Sequence, residues 1–317
     1  MRKTALLSIV ISITSIGISI PLSSCGPNKE RLPLSSAINT TSDISTADSM
    51  LDRANGYASA GNNRKAISTY RDISKEYPQT NAAAEARYAE ASLLDRDGDL
   101  LKAFEAYQDL IARYPGSKRY ATAIKRQEDV AHSAANGIIK NNFLGMKTKI
   151  GPDKTSKMLA DVRDNAPQAI SAPRAQFAIG RVWQEAGNAE KAIAAFRRIS
   201  IDYPDSESAP EALYQIGQIL ILKAEKGNHN KAHVNRAIDI FENLILRYPR
   251  HNRAADARER ITMLNSQDIQ RSYDTAEFYR NKGNAKSALF YYREVTRKTK
   301  SGSLHNLAKQ RISELGG

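Results

Sequence analysis

The chain has one cysteine, one tryptophan and no apolar run of the length that a membrane-spanning helix needs. A single cysteine excludes an intrachain disulfide and any metal site built from cysteines. Glycine (17) and proline (11) are sparse in 317 residues, and a 41% hydrophobic fraction stands beside 26% charged residues. That balance excludes a collagenous or largely disordered chain and a multispanning membrane protein, and it fits a helix-rich body. Catalytic signatures are missing too: there is no phosphate-cradling glycine loop, HExxH, GxSxG or sustained acidic metal loop. The nearest metal-like spacing is Glu225, His229 and His233. A zinc site of that composition needs all three on one ordered helix face, and Gly227 and Asn228 interrupt it. No enzyme, cofactor or metal is therefore expected.

What the chain does have is positive charge, +13 at neutral pH, of which Arg2 and Lys3 contribute two. Lys and Arg are spread over nearly every expected helix, and no nucleic-acid-binding signature accompanies them. The charge reads as solvated helix faces with a mild attraction to anionic headgroups, and nucleic acid is not an expected partner.

Arg2 and Lys3 precede Ala5 to Ile20, which carry no charge, then Pro21 and Leu22-Ser23-Ser24-Cys25. The apolar stretch is too short and too diluted by serine, threonine and glycine for a permanent span, and it suits a cleaved export signal. Leu, two small residues and Cys resemble a bacterial lipobox. The resemblance implies cleavage between Ser24 and Cys25 and lipidation of Cys25. Residues 1–24 are then a signal peptide, and 25–47, polar and without a sustained apolar period, a lipidated flexible tether with a random-coil reach of about 25 Å. The folded body is expected over 48–317.

Within that body one motif recurs: Gly61, Ala66, Tyr70, Tyr77-Pro78; Gly98, Ala103, Tyr107, Tyr114-Pro115; Gly187, Ala192, Phe196, Tyr203-Pro204. The offsets are identical in all three. Ala237, Phe241 and Tyr248-Pro249 keep them after an insertion around 227–231. Gly283, Ala288 and Tyr292 keep the first half, with Thr299-Lys300 in place of Tyr-Pro, and a degenerate copy ends at Ala166-Pro167. Glycine suits the left-handed residue that ends a first helix. The second helix carries an apolar stripe, as Ala192, Ile193, Phe196 and Ile199 do at helical spacing. Alanine lets two helix axes approach, the aromatic fills the space beyond, and proline stops the helix. Thr80, Ser117 and Ser206 are expected to cap the following helices. A lone hairpin cannot bury its face, so the units must stack. The expected fold is all-α, a right-handed solenoid of about six tetratricopeptide-like helix-turn-helix repeats, closed by a capping helix over Leu304 to Leu315.

Lipobox, tether and repeats ending in Tyr-Pro-x-Ser/Thr together resemble the BamD (YfiO, ComL) family of outer-membrane lipoproteins, most closely from Ala276 to Val295. The resemblance implies a periplasm-facing, lipid-anchored accessory subunit of the machine that inserts β-barrel proteins into the outer membrane, docked on the periplasmic domains of the insertase. Gly26 after the cysteine resembles outer-membrane sorting. Two other readings share the repeats: an envelope scaffold for cell-wall synthesis or division, similar to CpoB-type proteins, and a pilus or secretion assembly lipoprotein, similar to pilotins. The chain departs from the BamD-like pattern in its divergent unit between Tyr120 and Ala172.

The C-terminal repeat is also dense in aromatics: Phe278, Tyr279, Phe290, Tyr291 and Tyr292, with Arg280 and Arg293 beside them. Successive helix residues turn by about 100°. Phe290 to Tyr292 therefore spread over about 200°, and at least one ring must leave the core stripe. Tyr279, Arg280, Tyr291 and Arg293 are the expected partner-binding residues, since tyrosine and arginine are enriched at binding hot spots.

Overall fold

The computed structural model describes residues 41–317, apart from 138–140, 144–145 and 228–229. Cys25, Ser24 and the expected signal peptide lie outside the described residues, as does His229. The first helix, α1, spans Thr41–Ser59, so the helical body begins before the expected boundary at residue 48. Thr41 to Ala47, expected as tether, form its first turns, and Ala47 is fully buried among Met50, Leu51 and Ala83. Serine and threonine mask the apolar period of this turn, and tertiary burial supplies what propensity lacks.

Helical hairpins follow one another along the chain. The first pairs α1 with α2 (Asn63–Glu76), and the second pairs α3 (Asn81–Arg96) with α4 (Leu100–Arg113). The third pairs α5 (Tyr120–Ala135) with α6 (Pro152–Asn165), and the fourth pairs α7 (Ser171–Glu185) with α8 (Ala189–Asp202). The fifth is α9 (Ser208–Lys226) with α10 (Lys231–Arg247), and the sixth is α11 (Asn252–Asn281) with α12 (Ala285–Lys298). The expected capping helix is α13 (Ser303–Glu314). Each helix packs chiefly on its neighbours in sequence, as in a solenoid in which every unit touches only the next.

The motif residues do what their chemistry dictates. Gly61, Gly98, Gly187 and Gly283 have φ between +73° and +80°, where a Cβ would be strained. The residue after glycine starts the next helix. Asp99, Asn188 and Asn284 accept from the backbone N–H three positions on, at 3.3, 3.0 and 3.1 Å. Ala66, Ala103, Ala192, Ala237 and Ala288 are fully buried, and Tyr70, Tyr107, Phe196, Phe241 and Tyr292 fill the space beside them. After each Tyr-Pro, or Ala166-Pro167, the chain makes the same turn. The N–H of Thr80, Ser117, Ala169, Ser206 or His251 donates to the carbonyl three residues back at 3.0–3.1 Å.

That turn corrects two of the expected caps. Thr80 does cap α3, its hydroxyl accepting from the N–H of Ala83 at 3.1 Å. Ser117 and Ser206 sit inside the turn. Ser117 accepts from the N–H of Arg119 at 3.1 Å, and Ser206 donates to the Tyr203 carbonyl at 2.8 Å. An equal offset from proline places these residues but does not fix where the next helix starts.

In the divergent third unit, Thr155 and Leu159 occupy the positions of the alanine and the aromatic, and both are buried. Gly137, with φ +73°, ends α5 as the other glycines end their helices. Between α5 and α6 runs a two-stranded antiparallel ribbon, β1 (Asn141–Phe143) against β2 (Met146–Thr148), with Asn141 opposite Thr148. The fold remains an all-α solenoid with this one addition. On either side of the insertion around 227–231, α9 reaches 19 residues and α10 17, where α7 and α8 have 15 and 14.

Because Ala103 and Ala192 have no exposed surface, Ala103→Leu and Ala192→Leu are each expected to lower stability by about 1–3 kcal/mol through overpacking. Exchange of an exposed lysine such as Lys75 should change it by less than about 0.5 kcal/mol. Thermal melts followed by circular dichroism check both, and unchanged melting of the alanine variants would mean that the helix crossings lie elsewhere.

Candidate partner-docking surface

The C-terminal docking surface is built on the register that Ala288 and Tyr292 impose. Tyr292 is fully buried and its hydroxyl donates to Glu277 at 2.6 Å. With Tyr292 turned inward, the residue two positions earlier must point roughly the opposite way, at about 100° per residue. Phe290 is indeed 63% exposed. Tyr291, between them, stacks on Tyr279 of α11 with ring centroids 5.7 Å apart and planes 5° from parallel. Phe278 meets Tyr279 edge-on at 5.5 Å, and Phe290 meets Tyr291 edge-on at 5.2 Å. Phe278, Tyr279, Tyr291 and Phe290 therefore form one continuous row of rings at the tip of the sixth hairpin.

The capping helix covers part of this row. Leu304, Ile312 and Leu315 pack with Tyr279 and Tyr291 around Ala276, Ala288, Tyr292, Val295 and Ala308. The two tyrosines are half-buried, whereas the outer phenylalanines stay largely in solvent, with Phe278 55% exposed. Of the four expected residues, Tyr279 and Tyr291 are brought together. Arg280 is taken up inside the chain, donating to Glu277 at 2.6 Å. Arg293 is exposed and has no ion pair among the described residues. The two rings most open to a partner, Phe278 and Phe290, lie outside the four expected residues. The repeat register carried the signal for Phe290, because Tyr292 at the motif position fixes which ring faces in.

Burial works against ionisation of Glu277, but donations from Tyr292 and Arg280 outweigh it and hold its carboxyl below the usual range. Asp268 is held low in the same way, with burial opposed by the Lys298 ammonium. Both groups are easier to ionise folded than unfolded, so their contribution to stability is present above their ordinary values and lost as pH falls through the folded ones. His132 on α5 is shifted down by burial, and its contribution begins to be lost as pH drops below its ordinary 6.5. Glu277→Gln is therefore expected to blunt the loss of stability below pH 4.5 and to leave intact the loss that sets in as pH falls below 6.5. Urea titrations across pH test this, and an unchanged acid limb in the variant would remove Glu277 from the account.

Among the described residues no helix is long and apolar enough to cross a membrane, and no three His, Cys, Asp or Glu side chains gather as a metal set. Residues 48–80, 85–117 and 174–206 match the family model described as tetratricopeptide repeat. The first, second and fourth hairpins are tetratricopeptide repeats. Together with the helix order, these matches make the described residues an all-α solenoid of tetratricopeptide-like hairpins. No curated protein sequence matches the chain. Solved structures similar to it include MamA of Desulfovibrio magneticus, 14% identical over 65% of this chain and 97% of that one, with a TM-score of 0.31. A tetratricopeptide repeat protein of Parabacteroides merdae is 12% identical over 86% and 100%, at 0.31. PilW, a type IV pilus biogenesis factor, is 13% identical over 86% and 99%, at 0.29.

Proposed function

We propose that this tetratricopeptide scaffold is an outer-membrane lipoprotein on the periplasmic face, held by Cys25, and an accessory subunit of the β-barrel assembly machine. It works by binding and not by catalysis. The observation that carries its docking role is the row of four rings at the tip of the sixth hairpin, with two phenylalanines left open beyond the reach of the capping helix. Aromatic rings held rigidly by one another lose little freedom on binding, and such anchors dominate interface energetics. The lipobox and tether support the envelope location, and the resemblance from Ala276 to Val295 supports the assembly-machine partner.

The test uses photo-crosslinking side chains at Tyr279, Phe290, Tyr291 and Arg293 in intact cells. Controls at Arg64 and Lys75 in the first hairpin are better than Arg71, which is paired with Glu90. The expected result is stoichiometric capture of the insertase's periplasmic domains from the C-terminal positions alone. Capture of a cell-wall synthesis or pilus protein would replace the assembly role, and capture from the first hairpin alone would move the docking surface.

A further inference from the structure

We propose that the tip of the sixth hairpin takes an acidic segment of a partner protein, one that carries an aromatic or aliphatic side chain between its carboxylates. The inference rests on the docking reading above and names the chemistry of the partner.

Lys286, Phe290, Arg293 and Arg297 are spaced by four, three and four residues along α12, and all four are exposed. That spacing puts them in one stripe on one helix face. Lys282 lies over the Phe278 ring, 5.8 Å from its centroid. None of these four cations has an ion pair among the described residues, because the neighbouring carboxylates are already engaged. Glu277 serves Tyr292, Arg280 and Arg311. Glu294 pairs with Lys298, and Glu314 with Arg311. The tip therefore presents unbalanced positive charge around apolar rings.

Other hairpins do not repeat this combination. The matching stripe on α2 is Arg64, Ser68, Arg71 and Lys75, with Arg71 spent on Glu90. On α8 it is Glu190, Ala194, Arg197 and Ile201, and on α10 Asn235, Asp239, Glu242 and Leu246. Only on α12 among these does a ring stand between free cations.

Lys286 to Arg297 span about 16 Å at 1.5 Å per residue. An extended peptide covers that length in about five residues, with its apolar side chain on Phe290 roughly two residues from the Lys286 end. A protein segment fits better than an anionic bilayer because the rings lie against one another in a row. They do not project singly, as side chains wedged among headgroups would. Opposite charge along the rim would speed association and fix the register of the docked segment.

The test measures fluorescence anisotropy with the full-length lipoprotein in detergent. The probe is a fluorescein-labelled peptide of about six residues, with carboxylates at both ends and phenylalanine between. A counterpart has amides in place of the carboxylates, and phosphatidylglycerol vesicles form a third arm. The acidic peptide is expected to bind and to weaken steeply with salt. The double variant Lys286→Glu/Arg293→Glu should lose about tenfold or more in affinity, equivalent to about 1.4 kcal/mol. Phe290→Ser should lose a similar amount, and Lys75→Glu should match the parent. Equal binding of the amide peptide, indifference to the α12 reversals, or vesicle binding through the tip without peptide binding would each overturn the proposal. If a crosslinker at Tyr291 captures a partner in cells that excess acidic peptide cannot displace, docking at the tip stands and its acidic chemistry falls. If the peptide binds as expected but no crosslinker at the tip captures a partner, the chemistry stands and the docking role falls.

Discussion

Replacing Gly180 by alanine is expected to destabilise the protein, the opposite of what helix propensity alone predicts. Exchanging a mid-helix glycine for alanine ordinarily stabilises by about 1 kcal/mol. In α7, however, a Cβ on Gly180 would lie 2.4 Å from Cε1 of Phe196, and one on Gly217 in α9 would lie 2.4 Å from Cε1 of Phe241. Where the second helix carries tyrosine, the first helix has Ala54, Ala91 or Ala276 at the same register, each fully buried. There the hydroxyl reaches the residue that follows the alanine: Tyr70 donates to Asn55 at 2.8 Å and Tyr292 to Glu277 at 2.6 Å. Tyr107 lies 3.4 Å from the Ser92 hydroxyl. The repeats thus use two packings, tyrosine beside alanine and phenylalanine over glycine. Gly180→Ala is expected to cost about 1–3 kcal/mol by overpacking, and Phe196→Ala about 3–5 kcal/mol by leaving a cavity. Gly180→Ala combined with Phe196→Leu should recover part of the first loss, because the clashing ring edge is gone. Double-mutant cycles from urea denaturation measure the coupling. A Gly180→Ala variant more stable than the parent would show that the ring moves aside freely.

Cys25→Ser is expected to release the protein from the membrane or to mislocalise it. Each buried methylene contributes about 0.8 kcal/mol, and one acyl chain anchors only marginally, so stable attachment needs the two or three chains that a lipobox cysteine receives. A serine cannot form the thioether, and among the described residues no helix offers a spanning anchor in its place. Fractionation should find the parent with the envelope membranes and the variant either unprocessed or released. Mass spectrometry of the parent should show loss of the first 24 residues and a lipid mass on Cys25. A mature protein with an unmodified thiol would end this part of the account, yet it would leave the repeat scaffold and its docking surface untouched.

The repeat was legible because each motif position answers a local demand. A left-handed residue must end the first helix at Gly61 or Gly187, a small residue must sit where axes cross at Ala103, and proline must follow the last turn at Tyr114. The third unit was harder to read because Thr155 and Leu159 satisfy the same burial with different side chains, and burial is indifferent to which apolar residue supplies it. The caps at Ser117 and Ser206 were misplaced because the turn after proline and the following helix compete for the same hydroxyl.

At the docking surface, periodicity required one ring of Phe290 to Tyr292 to leave the core, and the motif register pointed to Phe290. Its exposure depended on how far the capping helix reaches, which is a matter of packing between distant segments. The same holds for polar groups. Nothing local marks Gln127 as buried, yet it is fully enclosed and bonded to Gln108 of α4 and Asn165 of α6. Glu90 is buried between Arg71 and Arg87. The sequence by itself determined the repeated helical hairpins, the glycine that ends each first helix and the order of stacking, because these rest on backbone geometry and on spacing within a few dozen residues. Only the tertiary structure decided which charges are spent and which remain free, as with Arg280 on Glu277 and Arg293 in solvent. A charge is neutralised by whatever lies within a few ångströms in space, and the chain folds that neighbour in from another helix.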